Sequence, residues 1–253
     1  MDSTLVAIIL AAGKGTRMQS DLPKVVHEVA GAPMVSWVVR ACRDAGCARV
    51  IVVVGHRDDL VRGALTAEPG VEFVMQVEQL GTGHAVQQAE QTLEGFTGDV
   101  LVLAGDGPLV RVEALEALVA QRRASGAAAT LATAEVDDPT GYGRILRDAD
   151  GAFLGVIEHN DANDAQRAIR EINPSVYCFS APELFAALAR VGRTGSKGEF
   201  YLTDAPALLA DAGARIDAIK TLGADEAISI NTPEQLAEVD RVLRARLARA
   251  GAV

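Results

Sequence analysis

The 253-residue sequence is poor in aromatic residues and has no excess of basic charge. Aromatic side chains make up 4% of the chain, and 24 Lys and Arg residues face 34 Asp and Glu residues. The formal net charge of -10 argues against a protein that coats nucleic acid or anionic lipid, because that binding mode needs a basic face. No apolar run approaches the roughly 20 residues that cross a bilayer, and no positive segment precedes an apolar run near the amino terminus. We therefore expect no signal peptide, no membrane or nucleic-acid partner, and a cytoplasmic location.

Cysteine is also scarce, and the spacing of the three cysteines does not indicate a metal site. Cys42, Cys47 and Cys178 form no C-x-x-C pair, which favours reduced and packed thiols over a disulfide framework or a zinc site. The four histidines never stand at the i, i+4 spacing that presents two imidazoles on one face of a helix. The sequence therefore predicts no metal site built on histidine.

Short β-branched segments alternate with helical patterns through the first 136 residues. The segments TLVAIIL, ARVIVVVG, VEFVM, GDVLVLAGD and ATLATAEV predict strands. The segments PMVSWVVRACRDAG, GTGHAVQQAEQTLEG and RVEALEALVAQRRASG predict helices that end at glycine. This alternation predicts an α/β fold, Rossmann-like, with a mostly parallel mixed sheet and helices on both faces.

The alternation of strand and helix patterns ends after residue 136. The following segment predicts turns, a strand pair joined by DADG and a further strand, which together indicate an antiparallel subregion. KGEFYLTDAPALLADAG then predicts a helix, RIDAIKTL a strand, and TPEQLAEVDRVLRARLARA a closing helix with Thr232 as its N-cap and Pro233 at its first position. No Pro-, Ser- or Gly-rich linker divides the chain. We expect a single domain with lobes at 1–136 and 137–230 and a C-terminal helix in 231–253.

The loop LAAGKGTRMQSDLPK, which leaves the first strand, gathers Lys14, Arg17 and Lys24 in an acidic protein. Gly13 and Gly15 allow backbone N–H groups to approach a ligand closely, and oriented amides form an anion cradle. The loop matches neither the P-loop pattern nor G-x-G-x-x-G, so neither a P-loop ATPase nor a dinucleotide dehydrogenase is supported. The residues alone leave open a phosphate-binding loop or an ordinary glycine turn with solvated cations.

Two further segments follow predicted strands. In QVEQLGTGHA the amide of Gln76 can both donate and accept, and two glycines precede a helical run, which suits the edge of a nucleobase or a plain helix-entry turn. In LAGDGPL, Asp106 stands at the carboxyl end of the predicted central strand. A carboxylate there suits Mg²⁺ shared with nucleotide phosphates, and a turn or helix cap is the alternative.

These three motifs stand in the order of a nucleotide-diphospho-sugar pyrophosphorylase. From residue 5 to about 245 the chain resembles the uridylyltransferase domain of bacterial N-acetylglucosamine-1-phosphate uridylyltransferases, since SDLPKV, DDPTGYGRI, IEHNDA and EIN follow that family's order and GEFYLTD is close to it. The resemblance implies the nucleotide-diphospho-sugar transferase fold with an antiparallel sugar-binding subregion. It implies uridylyl transfer from UTP to N-acetylglucosamine 1-phosphate, giving the peptidoglycan precursor UDP-N-acetylglucosamine and pyrophosphate, with Mg²⁺ as cofactor.

The resemblance also implies the site residues, each at a matching motif position. The nucleotide-binding set is Ala11, Gly13, Lys14, Gly15, Gln76, Gly81 and Thr82. The sugar-binding set is Gly143, Glu158, Asn173, Tyr201 and Thr203. Arg17, Lys24 and Asp106 form the catalytic set, and Asp106 and Asn231 the metal ligands. No general base is needed, because a sugar 1-phosphate is already an anionic nucleophile.

The sequence departs from the family's pattern beside the predicted sugar site. Ala104 stands where the family usually has tyrosine, Gly107 replaces a bulkier residue, and Pro174-Ser175 replaces Thr-Gly. Two alternatives therefore stay open: uridylyl or thymidylyl transfer to another hexose 1-phosphate, and a catalytically silent regulator that binds a nucleotide sugar. The chain carries no hexapeptide repeats of the family's left-handed β-helix domain, so no acetyltransferase activity is expected. The sequence leaves the oligomeric state and the choice between one and two metal ions open.

Overall fold

One mixed β-sheet organises the computed structural model, which describes residues 2–13, 15, 18, 20–195, 198–228, 230–249 and 251. Among these residues ten strands form the sheet, and two short strands form a separate hairpin. The strands are β1 Asp2–Leu10, β2 Glu28–Val29, β3 Ala32–Pro33, β4 Cys47–Val54, β5 Val71–Met75, β6 Asp99–Ala104, β7 Ala129–Glu135, β8 Gly143–Arg147, β9 Phe153–Ile157, β10 Glu171–Asn173, β11 Val176–Ser180 and β12 Ile216–Lys220. The helices are α1 Met34–Asp44, α2 Asp58–Ala64, α3 Thr82–Gln87, α4 Val112–Ser125, α5 Asp164–Arg167, α6 Ala181–Leu188, α7 Asp204–Asp211 and α8 Pro233–Arg249.

The strand order explains where a ligand would bind. The order is β5-β4-β1-β6-β11-β7-β10-β8-β9, and β12 pairs with β7. Strands β5, β4, β1 and β6 are parallel, so their carboxyl ends meet at one edge. β4 and β6 lie on opposite sides of β1, which makes the end of β1 a topological switch point, where open α/β sheets bind ligands. The predicted α/β fold is confirmed, with β11 inserted antiparallel between β6 and β7.

Helices cover both faces of the sheet, as predicted. Side chains of β1 alternate between two separate cores: Leu5, Ala7 and Ile9 face one, and Val6 and Ile8 face the other. The first core receives apolar side chains from α1, α2 and α4, and the second from α3, α6 and α7. A strand that is buried on both faces reads as a continuous apolar run, which is what this stretch of sequence shows.

Two predicted helices are shorter than expected. The GTGHAVQQAEQTLEG helix ends at Gln87, because the next three backbone N–H groups donate to the carbonyl three residues earlier and tighten the chain. The KGEFYLTDAPALLADAG helix begins only at Asp204, since the segment before it pairs with the loop at Leu80. The long-range partner of that segment overrides its local helical pattern.

The closing helix and the DADG hairpin are confirmed. β8 and β9 pair antiparallel around DADG. At the start of α8 the Gln235 N–H donates to Thr232 Oγ1 at 3.3 Å, and the Thr232 N–H donates back to Gln235 Oε1 at 3.1 Å. This is a capping box, with Thr232 as the predicted N-cap. α8 then packs on a third apolar cluster, which includes Met18 of the glycine loop and Leu109. The closing helix therefore supports the loops at the carboxyl edge.

The cysteines and helices bear on two further expectations. Cys42, Cys47 and Cys178 are buried free thiols, which confirms the packed-thiol prediction. Burial raises the pKa of the Cys178 thiol, so this group is protonated and unreactive. Of the helices within the described residues, none has both the length and the apolar character that a membrane span requires.

Candidate active site

The ends of β1, β4 and β6 are packed tightly against one another. The Ala11 N–H donates to Val53 at 2.9 Å, and the Gly105 N–H donates to Leu10 at 2.9 Å. A Cβ atom on Gly55 would lie 2.9 Å from the Cβ of Ala12, which is closer than real Cβ contacts allow. Small residues at these positions let the loops that leave the three strands share one narrow edge.

The glycine loop folds back onto Lys24. Gly15 has φ +63°, and a Cβ atom there would lie 2.6 Å from the Cβ of Lys24. A glycine is required for this approach. Lys24 begins a single 3₁₀ turn, Lys24–Val26, whose Val25 side chain is buried in the core. Burial of Val25 holds the turn in place and so fixes the start of the Lys24 side chain.

Lys24 joins two residues that are distant in sequence. Its Nζ forms an ion pair with Asp106 Oδ2 and donates to Asn231 Oδ1 at 3.1 Å. The side chains of Lys24 and Asp106 are only 19% and 12% exposed, so the pair is largely shielded from water. The structure thus brings together the predicted catalytic lysine and both predicted metal ligands at the carboxyl edge of the sheet.

The oxygens of Asp106 and Asn231 suit Mg²⁺. A carboxylate and an amide oxygen are hard donors, and Mg²⁺ typically takes one or two protein oxygens and completes its shell with phosphates and water. Both oxygens already face one cation, the ammonium group of Lys24. Within the described ranges no group of three or more His, Cys, Asp or Glu side chains gathers to hold an ion without a substrate. The donor set therefore fits a magnesium ion shared with a nucleotide.

The predicted base-binding residues surround the end of β5. Gln76 follows this strand and is 3% exposed, and its Nε2 donates to the Gly81 carbonyl at 3.0 Å. The Gln76 backbone carbonyl lies beside Gly55, where an added Cβ would approach it to 3.2 Å. The Gln76–Gly81 loop is therefore contiguous with the ends of β4 and β1, and with the glycine loop.

A short backbone pairing connects this loop to the segment before α7. The Phe200 N–H donates to Leu80 at 2.8 Å, and the Gly83 N–H donates to Phe200 at 2.8 Å. Thr82 Oγ1 accepts a hydrogen bond from the Leu202 N–H at 3.0 Å. This pairing places the predicted nucleotide-binding Thr82 next to the segment that carries Tyr201 and Thr203.

The five predicted sugar-binding residues form two linked groups. Gly143 and Asn173 are direct partners in the β8–β10 pairing. Glu158 follows β9, and its Oε1 accepts a hydrogen bond from Thr203 Oγ1 at 3.0 Å. Burial raises the pKa of Tyr201, and the carboxylates around it, including that of Glu158, raise it further. The Tyr201 hydroxyl is therefore protonated at neutral pH and can donate a hydrogen bond.

Tyr177 connects these two groups, and sequence reasoning missed it. Its hydroxyl accepts a hydrogen bond from Asn173 Nδ2 at 2.6 Å. Burial raises the pKa of the Tyr177 phenol, and the nearby Glu158 carboxylate acts in the same direction. The available signal was a tyrosine in the otherwise apolar VYCF strand, four residues after the Asn of EIN.

Arg144 was also missed. It is 1% exposed, and its guanidinium donates to the Arg167 carbonyl at 3.2 Å and contacts His159 Nδ1 at 3.3 Å. Arg144 thus ties β8 to the segment that follows Glu158. The signal in the sequence was a charged residue at the start of an apolar strand, as in YGRIL.

The departures from the family's pattern lie beside this region. Val176 pairs with Leu103 across β11 and β6, so Pro174-Ser175 comes next to Ala104 at the strand ends. Ser175 has a left-handed backbone at φ +63°. Lys14 and Arg17 of the predicted set lie outside the described residues.

The chain matches a family model over most of its length. The model is described as a MobA-like NTP transferase domain, and the match covers residues 7–206. The chain belongs to this family. The matched span of this MobA-like NTP transferase domain contains every predicted site residue except Asn231.

Curated relatives of this MobA-like NTP transferase domain carry the name bifunctional protein GlmU. The chain is 47% identical to that of Geobacter metallireducens over 245 residues, with 97% of this chain and 52% of the relative aligned. It is 48% identical to that of Syntrophotalea carbinolica, with 96% and 52% aligned, and 44% identical to that of Streptococcus mutans, with 96% and 53% aligned. The chain therefore spans about half the length of the curated relatives it matches.

Solved structures agree on the fold. The structure of UDP-glucose pyrophosphorylase complexed with UDP-glucose superimposes with a TM-score of 0.78 at 20% identity, covering 95% of this chain and 98% of the other. The apo form of UDP-glucose pyrophosphorylase gives the same TM-score at 19% identity, with the same coverage. These similarities confirm the predicted nucleotide-sugar transferase fold.

Proposed function

We propose that this protein transfers uridylyl from UTP to N-acetylglucosamine 1-phosphate, giving UDP-N-acetylglucosamine and pyrophosphate. The observation that carries the proposal is the convergence of Lys24, Asp106 and Asn231 at the carboxyl edge of the sheet, beside the glycine loop. The name of the GlmU relatives and the order of the sequence motifs supply the substrate class. UTP and the sugar phosphate meet in the cytoplasm, which we propose as the site of action.

The nucleotide occupies the edge formed by β1, β4, β5 and β6 in this proposal. The uracil and its neighbourhood are held by Gly13, Gln76, Gly81 and Thr82, and the triphosphate by Arg17 and Lys24. Ala11, Lys14 and Gly15 complete the nucleotide-binding set. A Cβ atom on Gly13 would meet no atom within 4 Å among the described residues beyond its chain neighbours, which favours access of the nucleotide to this position. The lobe 1–136 carries this half of the site.

The sugar phosphate occupies the antiparallel region in 137–230, against Gly143, Asn173, Glu158, Tyr201 and Thr203. The Asn173 amide and the Glu158 carboxylate are already oriented by Tyr177 and by Thr203, so they are pre-organised for hydroxyl and amide groups of a sugar. Residues 231–253 add Asn231 and the helix that supports it.

The chemical step needs positioning and charge compensation. A phosphate oxygen of the sugar phosphate attacks the α-phosphorus of UTP and forms a new P–O bond. The bond from the α-phosphorus to the bridging oxygen breaks, and pyrophosphate leaves with the electron pair. Lys24, together with Arg17, lowers the repulsion between the two anions and stabilises the charge on the departing pyrophosphate. No histidine or cysteine is needed as a base, because the nucleophile is already deprotonated.

Mg²⁺ would be held by Asp106 and Asn231 together with phosphate oxygens of the nucleotide. When bound, the ion would supply Lewis-acid polarisation of the phosphates and neutralise their charge. The Lys24 ammonium contacts the same two oxygens, so Lys24 would turn toward the triphosphate if these oxygens held the ion.

The proposal is tested by pyrophosphate release with purified protein and Mg²⁺. UTP, dTTP, CTP and GTP are each offered with N-acetylglucosamine 1-phosphate, glucose 1-phosphate and galactose 1-phosphate, with Asp106→Ala as the inactive control. We expect the fastest release with UTP and N-acetylglucosamine 1-phosphate. A higher kcat/KM with another sugar phosphate would reassign the acceptor, and nucleotide-sugar binding with no turnover on any pair would point to a silent regulator.

A further inference from the structure

The side-chain amide of Gln76 is held in one orientation by two acceptors. Its Nε2 lies 3.0 Å from the Gly81 carbonyl oxygen and 3.1 Å from Nδ1 of His84. A primary amide nitrogen carries two hydrogens, and these two partners engage both. The Gly81 carbonyl can only accept, so it requires the nitrogen, rather than the oxygen, of the amide on this side.

This arrangement determines the tautomer of His84. Nδ1 accepts from Gln76, so a neutral imidazole carries its proton on Nε2. Nε2 lies 3.1 Å from the amide of Gln88. The Gln88 amide nitrogen also donates to the backbone carbonyl of His84 at 3.0 Å, so its contact with Nε2 brings two donors together when Nδ1 accepts from Gln76. Gln88 is half-buried and can move away from the ring, whereas Gln76 is 3% exposed and is held by Gly81. The buried glutamine therefore sets the protonation pattern, and the outer glutamine adapts to it.

The orientation leaves one hydrogen-bonding atom of Gln76 for a ligand. Oε1 accepts no hydrogen bond from any residue that the structure describes. An acceptor at this place suits a base edge that presents an N–H group. The N3 position of uracil is a donor, whereas N3 of cytosine is an acceptor, so cytosine would face the Gln76 oxygen with a repulsive lone pair.

We propose that His84 is a positioning residue for nucleobase selection: by accepting from Gln76 Nε2 beside the Gly81 carbonyl, it makes turning of the amide more costly and so strengthens the discrimination of uracil from cytosine. This inference rests on the proposed function, in which Gln76 faces the base. His84 itself packs beside Phe200, with ring centroids 6.3 Å apart, and acts only through Gln76. Without the His84 acceptor, one of the two hydrogen bonds that orient the Gln76 amide is lost, so turning its nitrogen toward cytosine N3 sacrifices only the bond to Gly81.

The test compares UTP with CTP for each variant, both as a ratio of kcat/KM values and as a ratio of calorimetric Kd values with Mg²⁺ and no sugar phosphate. His84→Ala and His84→Leu both remove the acceptor, and leucine also retains bulk beside Phe200. We expect the preference for UTP over CTP to fall by about tenfold in both variants, mainly because CTP binds better. His84→Asn keeps an acceptor near the Nδ1 position, so it is expected to restore most of the preference.

Gln88→Ala is the matched control, because it removes the contact on the other side of the imidazole and leaves the Gln76 bond intact. We expect it to keep the wild-type ratio. A role of His84 in stability alone would change the melting temperature and the activity with both nucleotides equally. If His84→Ala or His84→Leu is folded and keeps the wild-type ratio, the inference is wrong. A wild-type protein without any preference for UTP would instead contradict the proposed function, which separates the two failures.

Discussion

Lys24 and Asp106 form an ion pair that joins the loop after β1 to the loop after β6, with Asn231 on the same ammonium group. Lys24 and Asn231 come from opposite ends of the chain, 207 positions apart, and Asp106 comes from its middle part. An anionic ligand that enters this edge meets a lysine, a carboxylate and an amide already in contact. The turn at Lys24, the loop after β6 and the start of α8 must all hold their places for this to occur, which makes the cluster a sensitive probe of the proposed site.

Removal of either charged partner is expected to slow turnover strongly. Lys24→Ala removes charge from the transition state, and Asp106→Ala removes a metal ligand. A contribution of about 3 to 4 kcal/mol at the transition state corresponds to a loss of about 10²- to 10³-fold in kcat. The measurement is pyrophosphate release at saturating substrates, with circular dichroism as a check of folding. Near-normal turnover in either folded variant would count against the assigned roles.

Lys24 and a divalent cation are expected to compete for the same oxygens. In the absence of nucleotide, Lys24→Met should therefore bind Mn²⁺, used as a paramagnetic probe, severalfold more tightly than wild type, because the ammonium group no longer repels the ion. Electron paramagnetic resonance measures the bound fraction. Asp106→Asn is the control and should bind more weakly. Unchanged Mn²⁺ affinity in Lys24→Met would show that the ion binds elsewhere.

Two glycine substitutions are expected to separate binding from folding. Gly13→Ala places its methyl group where no described residue beyond its chain neighbours comes within 4 Å, so the melting temperature should be unchanged while the Kd for UTP rises at least about tenfold through contact with the bound nucleotide. Gly81→Ala puts a Cβ atom 2.5 Å from the Phe200 carbonyl oxygen at φ +120°, so it should cost about 2 kcal/mol of stability. Calorimetry with UTP and thermal unfolding measure the two effects. A destabilised Gly13→Ala with normal UTP affinity would reverse the assignment.

The left-handed residue Ser175 carries a strain that glycine would relieve. At φ +63° a side chain costs about 1 to 2 kcal/mol, part of which is offset by the greater freedom of glycine in the unfolded chain. Ser175→Gly is expected to raise the free energy of unfolding by about 0.5 kcal/mol, measured by urea denaturation. Ser125→Gly at the end of α4 makes the same change in a helix and should lower it. The Ser175 side chain also hydrogen-bonds Tyr177, so destabilisation by Ser175→Gly would mean that this contact outweighs the relieved strain.

Stability should depend on pH through Glu171. Burial raises the pKa of this carboxyl, but hydrogen bonds from Arg147 and Thr133 outweigh burial, and the net pKa lies below its usual value. A depressed folded-state pKa stabilises the protein above the unfolded-state pKa, and the stabilisation is lost as pH falls through the folded-state value. Glu171→Gln should cost about 2 kcal/mol at pH 7 and show a shallower fall in stability below about pH 5.

Urea denaturation between pH 3 and pH 7 measures this dependence. Glu116→Gln, on the exposed side of α4, controls for the loss of one carboxylate. A Glu171→Gln curve that is parallel to the wild-type curve over the whole range would contradict the assigned ion pair.

The five strands of the main sheet and the helices α1 and α4 in the first 136 residues followed from the sequence, because hydrophobic periodicity and glycine stops are local properties. Helix α2 and the β2–β3 hairpin were not predicted. The loops that hold Gly13, Gln76 and Asp106 followed for the same reason, since each comes directly after a buried strand. The order of these motifs was sufficient to indicate the family. The short helix α3 was not predictable, because its length depends on turns that keep Ala89 and Leu93 in the core.

Only the tertiary structure decided which distant groups meet. The insertion of β11 between β6 and β7, the pairing of Phe200 with Leu80, and the contact of Lys24 with Asn231 all depend on packing between segments with no common local pattern. The same holds for His84 and Gln76, whose hydrogen bond requires a particular turn at Gly81. Local hydrophobic periodicity determined the strands and helices, and with them the carboxyl ends of the parallel strands where ligands bind. Long-range burial and hydrogen bonding decided the geometry of the site, because those free energies exist only once the chain is folded.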